Sequence, residues 1–565
     1  MHLINSLSSA ASRLALLFAC SLTVASLSAQ PWAKKASKSV FMLKTFRADG
    51  QLLGSATGFY VDDKGSALSS FAPFRGAARA VVIDAQGKEW PVEAMMGAST
   101  TYDVAKFRVK TKKAEPLTIA RRPASVGATA WLLPYRAAGA VAHGPIRRVE
   151  HFLGHHPYYS VAVNIAADNM VSSPLLNDEG EVIGLAQLPA SPTDTLSYAV
   201  SASFADSLHT TGLSLNDAAL RSTAIKTALP EDRDQALLML YMAASAADSA
   251  AYATLTDDFI SLFPDAPDGY VYRARLATAA DRCADADRDM QKAISVATQK
   301  DETHYNYSQL ICQKLTLKPQ PPYEPWTLDE ALRQAQTAYD INPLPLYRYQ
   351  QAQVLYAQKR YTDALDIYTA LASTPLRSAE VFYEASRCHQ QLRDTTAQLA
   401  LLDSALTTFS QPYLQEAAPY LLARAQVRID AGMYRPAVAD LGDYERLMRA
   451  RLNDRFYYIR FQAETGGRLF QQALDDISKA IDMNPTYDLY VAEKASLQIR
   501  VGQYDDAIAT AQACIRLAPD YSDGYLFLGL AQCLKGLKTE GVANLRRARD
   551  LGDPQAEELI KQYAQ

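Results

Sequence analysis

The residues with the type and spacing to do chemistry gather between positions 30 and 210. Acyl transfer needs a nucleophilic hydroxyl, a base within hydrogen-bond reach and a group that orients the base. Adjacent hydroxyls stand at Ser172 and Ser173, in the run Asn169-Met170-Val171-Ser172-Ser173-Pro174-Leu175. His143, His151, His155 and His156 lie in the same half, and Asp103 offers a carboxylate within Thr101-Tyr102-Asp103-Val104-Ala105. His155-His156-Pro157 reads as an exposed loop that could touch a metal, but no Asp, Glu or His partner is placed at a convincing spacing, so no metal site is expected. Five cysteines follow residue 29: Cys283, Cys312, Cys388, Cys514 and Cys533. They are scattered, odd in number and without a CxxC pair, which argues for small apolar side chains on helices and against a disulfide framework or zinc site. No cofactor is expected.

The elements that must position these residues are short β-type runs broken by turns. They include Val40–Lys44, Thr57–Val61, Ser66–Ser70, Ala80–Asp84, Asp103–Val109, Ala128–Leu133 and Tyr159–Val163, with turns at Asp62-Asp63-Lys64-Gly65 and Ala85-Gln86-Gly87-Lys88. Leu176 to Leu185 reads as two apolar strands around Asp178-Glu179-Gly180. Strands at this spacing predict an all-β barrel or sandwich.

The order of these signals resembles the trypsin-like domain of HtrA/Deg serine proteases. Gly58-Phe59-Tyr60-Val61-Asp62-Asp63-Lys64-Gly65 sits where that family has a glycine-led strand and turn. Leu68-Ser69-Ser70-Phe71-Ala72-Pro73-Phe74 stands in the place of its histidine segment. Thr101 to Ala105 matches the segment of the orienting Asp, Pro123 to Ala128 the turn into the second barrel, and Ser197-Tyr198-Ala199-Val200 the last strand. The resemblance implies a double β-barrel whose triad positions are Ala72 for His, Asp103 for Asp and Val171 for Ser. The glycine that helps shape the oxyanion hole is replaced by Asn169. Alanine and valine supply neither base nor nucleophile, so the resemblance implies a protease fold without its catalytic residues. Ser172, one residue further along a tight turn, would aim its hydroxyl elsewhere. A PDZ domain, usual after such proteases, is not legible. Two uses of the barrel stay open: a rigid docking block, or a groove that still holds an extended peptide by strand addition.

From about residue 233 the chain repeats itself. Tyr504-Asp505-Asp506-Ala507, Cys514 and Pro519 are matched 34 residues earlier by Phe470-Gln471-Gln472-Ala473, Ala480 and Pro485, with Gly502 in the turn between helices. This is similar to the tetratricopeptide (TPR) pattern, in which small residues let paired helices approach and proline ends the second helix. Other copies surround Gly536, Gly432, Ala364, Ala338 and Ala286, and a looser one surrounds Ala397. The resemblance implies a superhelical solenoid of eight to nine helix pairs, with inward-facing partner candidates Tyr349, Tyr356, Phe382, His389, Tyr458 and Arg500. At helical spacing such residues also serve as ordinary packing.

The chain is therefore expected to be multidomain: a signal segment over 1–29, an all-β trypsin-like double barrel over 30–210, a linker over 211–232 and an all-α TPR solenoid over 233–565. Its 565 residues are too many for one core. Arg13 and the apolar stretch Leu14–Val24, followed by Leu27-Ser28-Ala29, predict export. Lipidation at Cys20 is the rival reading; Phe18 fits its box poorly. No further stretch has the apolar length of a transmembrane helix. A net charge of −4 gives no sign of nucleic-acid binding. Charge is uneven, with 19 Lys and Arg against 15 Asp and Glu in 30–210, and 37 against 46 in 211–565. The expected function is a non-catalytic scaffold or adaptor binding protein partners, in a periplasmic or outer-membrane complex. The alternatives are a holdase for unfolded exported chains and an atypical serine hydrolase. Oligomeric state is not legible.

Overall fold

The computed structural model describes residues 30–136, 141–152, 156–165, 170–188, 196–246 and 248–564. The expected signal segment, Cys20, His155 and Asn169 lie outside the described residues. The first six strands are β1 (Val40–Phe46), β2 (Leu52–Tyr60), β3 (Ser66–Ser69), β4 (Arg79–Ile83), β5 (Glu89–Ser99) and β6 (Val104–Val109). They close a barrel in the order β1-β2-β3-β6-β5-β4. The next six are β7 (Thr129–Leu132), β8 (Ala142–Phe152), β9 (His156–Val161), β10 (Pro174–Leu176), β11 (Val182–Gln187) and β12 (Ser197–Ser201). These close a second barrel in the order β10-β11-β12-β9-β8-β7.

Side chains alternate across each strand, so every strand of a closed barrel contributes one face to the interior. Phe41, Leu43, Phe74, Met95, Phe107 and Val109 fill the first barrel. Leu132, Ile146, Tyr159, Val161, Leu175 and Ile183 fill the second. A third cluster joins residues of both barrels, with Val40, Phe59 and Leu68 against Leu133, Leu176, Val182 and Val200. This shared apolar seam holds the two barrels together. β5 and β8 are not apparent from periodicity. β5 carries Pro91 and two register shifts, and β8 carries Gly144, Pro145 and one. Each bulge adds a residue that breaks the two-residue alternation.

The stretch 211–232 is packed rather than free. Ala219, Leu220 and Ile225 join the core of the first barrel. Met95 of β5 donates its N–H to the Lys226 carbonyl at 2.8 Å and accepts from Ala228 N–H at 2.7 Å, so Thr227 pairs alongside the strand. Lys226 Nζ then meets Asp258 Oδ2 at 2.6 Å on the helix Ser249–Leu262. Accordingly the first compact unit runs through Val296 and the second begins at Ala297; among the described residues the first includes four helices from Arg233 onward and the second fifteen. No helix of the described residues is long and apolar enough to cross a membrane.

The fold is a trypsin-like double barrel followed by a TPR-like series of about nineteen helices. Ala473, Ala480 and Ala507 are fully buried, as close helix packing requires. The turns between paired helices use the left-handed backbone region. Glycine occupies it at Gly432, Gly502 and Gly536, but Asp281, Lys359, Arg393 and Arg468 adopt the same conformation without glycine. At Arg393, ahead of the looser copy around Ala397, the glycine signal is gone; the Arg468 copy stays legible because Phe470, Ala473, Ala480 and Pro485 keep the spacing.

Another feature recurs with the repeats. Arg273, Arg424 and Arg460 each hold an aspartate sixteen residues on with both arms of the guanidinium: Asp289, Asp440 and Asp476. Each arginine also reaches an acid on the preceding helix: Asp257, Asp403 and Glu445. One planar fork thus ties three successive helices. Glu464, one turn beyond Arg460, has a buried Oε2 without a hydrogen-bond partner, and its Oε1 lies 3.7 Å from Arg460 Nε. Burial, reinforced by the Asp476 charge, pushes its carboxyl up to about 8. The folded state therefore holds a proton that the unfolded state releases above its ordinary carboxylate value. Stability from this group is complete below about 4.5 and is lost as pH rises to about 8. Glu464→Gln should remove that component. Urea midpoints at pH ~5 and ~8.5 should lie closer together in the variant than in the wild type; an unchanged gap refutes the assignment.

Candidate functional site

Strand pairing brings the expected triad positions to the seam between the barrels. β3 and β6 are neighbours, with Ser69 opposite Ala105. Ala72 opens a short 3-10 turn just past β3, and Asp103 immediately precedes β6. Asp103 has φ +50°, and its Oδ1 accepts the Ala72 main-chain N–H at 2.7 Å. From the second barrel, the Val171 carbonyl accepts the Thr57 N–H of β2 at 3.0 Å. The neighbouring Gly58 pairs with Ser69, and Ser69 Oγ donates to the Thr57 carbonyl at 2.7 Å. Ala72, Asp103 and Val171 are thus linked through a short series of main-chain and side-chain hydrogen bonds. A second bridge secures the approach to Asp103. Tyr158 Oη donates to Gln187 Oε1 at 2.6 Å, and Gln187 Nε2 donates to the Tyr102 carbonyl at 2.8 Å.

The chemistry at this point is spare. Ala72 presents a methyl group, Val171 an isopropyl group, and Asp103 a carboxylate already engaged by a main-chain N–H. Ser172 adopts φ +63°, and its N–H donates to the Ala186 carbonyl at 2.7 Å. Its hydroxyl belongs to a residue only 2% exposed, and Ser173 is fully buried. His143 stacks on Trp131 at 4.3 Å between centroids. His151 lies on β8 opposite Pro157. His156 Nδ1 lies 2.9 Å from Ser203 Oγ, and its ring stacks on Phe204 at 4.0 Å. This Ser–His pair is absent from the motif reading because its partners are 47 residues apart. His156 is held in an aromatic contact with Phe204, and Tyr102 meets it edge-on. Among the described residues no group of three or more His, Cys, Asp or Glu is placed to hold a metal ion. Burial pushes the Cys312 and Cys514 thiols up to about 11 and that of Cys388 up to about 12, so all three are protonated at neutral pH.

In the helical region the six candidates separate. Phe382 is buried, and Tyr349 packs edge-on to Tyr368 at 5.6 Å; both are core contacts. His389 Nδ1 lies 3.6 Å from Asp394 Oδ2, and Arg500 lies over Phe470 at 5.9 Å. Tyr356 and Tyr458 line cavities. The first, about 540 Å³, lies between the helices Asp301–Leu317, Pro345–Ala357 and Ala379–Leu392. Its lining includes Gln309, Gln313, Gln350 and Gln353 beside Tyr356. Arg387 caps the Tyr356 ring at 4.7 Å while pairing with Glu384 at 3.0 Å. The second, about 500 Å³, contains Tyr458, Tyr487 and Tyr490. The glutamines escaped motif reading because they follow no TPR packing position.

Residues 56–185 match the family model of a trypsin-like peptidase domain. Among solved structures, the active form of the Rv3671c protease from M. tuberculosis is 20% identical; the match covers 32% of this chain and 82% of that one, with a TM-score of 0.28. The serine endoprotease from Yersinia pestis is 17% identical, with 31% and 62% covered and a TM-score of 0.28. Among curated proteins, small glutamine-rich tetratricopeptide repeat-containing protein 2 of Saccharomyces cerevisiae is 28% identical over 92 residues, 16% of this chain and 27% of that protein. The TPR repeat-containing thioredoxin TDX of Arabidopsis thaliana is 31% identical over 90 residues, 16% and 23% respectively. The chain spans about a quarter of the length of these curated relatives. It carries a trypsin-like peptidase domain in its front part and, in its helical region, sequence related to TPR proteins.

Proposed function

We propose that this chain is a non-catalytic adaptor, exported to the periplasm or the outer membrane, that binds protein partners through its TPR-like helices and keeps a protease-like double barrel as a second binding block. The observation that carries this reading is the Ala72–Asp103 contact. The orienting carboxylate is in place, but the residue it meets contributes only a main-chain N–H. With Val171 at the nucleophile position, acyl transfer has neither attacking hydroxyl nor base. The interhelical cavity around Tyr356 supports the partner-binding half, because the Gln313 and Gln353 amides on its wall suit an extended polypeptide with polar backbone groups.

A fluorophosphonate probe and a broad peptide library test the catalytic half. Neither labelling nor cleavage is expected from the wild type. Val171→Ser should remain inactive as well, because Ala72 still supplies no base, and loss of the base alone costs roughly six orders of magnitude in such an enzyme. Cleavage by the purified wild type, abolished by a single substitution in the barrel, would overturn the proposal.

A further inference from the structure

The cavity containing Tyr458 lies between the helices Asp454–Gly466 and Asp488–Arg500. Tyr487 and Tyr490 meet at 89° with centroids 4.6 Å apart, forming a corner. Tyr458 leans on Tyr490 at 4.9 Å. Asp454 Oδ2 accepts the Tyr490 hydroxyl and Asn484 Nδ2, each at 3.1 Å. These hydrogen bonds hold the Asp454 carboxyl below its ordinary value, so it is ionised at neutral pH. They also fix the Tyr490 ring and enrich it in electrons through its donated hydroxyl. The Glu493 carboxyl is near enough to act on the Tyr458 hydroxyl.

Elsewhere among the helices, aromatic rings carry cations from this chain: Arg387 over Tyr356, Arg460 over Phe456, Arg377 over Phe382 and Arg547 over Tyr525. Among the described residues no such contact covers Tyr458, Tyr487 or Tyr490, although Arg455 also lines the cavity. Electron-rich faces beside an ionised carboxylate, in a region of net negative charge, are complementary to a cation.

We propose that this tyrosine corner is a cation pocket that takes the ammonium or guanidinium group of a Lys or Arg side chain on a protein partner. The inference rests on the adaptor reading and names the chemistry that one groove selects. Tyr487 is 43% exposed, so its ring can be changed with little loss of packing.

Saturation-transfer NMR on the full chain, with N-acetyl-lysine amide, N-acetyl-arginine amide and uncharged N-acetyl-citrulline amide, tests the pocket. At least one cationic probe is expected to bind about fivefold or more tighter than the citrulline probe. Tyr487→Leu should erase that preference, and Tyr487→Phe, which keeps the ring, should preserve it. Equal binding of all three probes, no binding at all, or a preference untouched by Tyr487→Leu overturns the pocket. Affinity capture with wild type and Tyr487→Leu separates the two readings. A partner held equally by both, without cation preference, refutes the pocket and leaves the adaptor. Selective probe binding with no protein partner refutes the adaptor alone.

Discussion

Arg460→Ala is expected to destabilise the second unit by about 3–5 kcal/mol, read from the urea midpoint at the helical circular-dichroism band. The Asp476 side chain is 3% exposed and receives both arms of Arg460, at 2.5 and 3.0 Å. Without the guanidinium, a buried carboxylate retains only the Lys479 ammonium at 3.0 Å. Glu445 loses its Arg460 contact too, but it remains partly solvated. Most of the expected effect is therefore the desolvation penalty at Asp476, not the strength of an attraction. Two further measurements isolate this cause. Arg460→Met with Asp476→Leu removes both charges and should recover most of the loss. Arg360→Ala should cost about 1 kcal/mol or less, because Arg360 and its partner Asp363 are 52% and 49% exposed and water can replace the lost contact on both sides. Equal costs at the two arginines would refute the burial argument.

Gly541→Ala is expected to destabilise the last helix pairs by about 1–3 kcal/mol despite alanine's better helix propensity. A Cβ at Gly541 would sit 2.4 Å from Cys533 Sγ, 2.8 Å from the Gly529 carbonyl oxygen and 2.9 Å from Cys533 N. Two of these atoms belong to the backbone of the helix Ser522–Lys535, so relief requires the helices to part. Gly442 supplies the opposite case. It lies inside the helix Tyr434–Met448, and a Cβ there would meet nothing within 4 Å. Gly442→Ala should stabilise by about 0.5–1 kcal/mol, since only propensity changes. Thermal unfolding of the two variants should shift in opposite directions; shifts of the same sign would refute the close approach of the last helices.

The double barrel was legible because it is written in local signals. Short alternating runs, glycine-led turns and their order along the chain give most strands their places, while β5 and β8 escaped because bulges, Pro91 and Gly144 interrupt the alternation. The helix pairs were equally legible wherever alanine, glycine and proline keep a 34-residue spacing, and less so around Ala397, where Arg393 carries the left-handed turn without glycine. At the candidate site, residue identity alone sets the functional groups: Ala72, Asp103 and Val171 contribute a methyl, a carboxylate and an isopropyl whatever the fold does with them. It took the packed barrels to turn the Asp103 oxygen to the Ala72 N–H, to tie the Val171 carbonyl to Thr57 and to bury Ser172 and Ser173. Helix packing alone separated Tyr458 from Tyr349, two aromatics at similar helical positions, one lining a cavity and the other packed on Tyr368. The reason is physical. Periodicity specifies which face of a helix or strand is apolar, but contacts between elements depend on crossing geometry and on partners far apart in the chain, which no local pattern encodes.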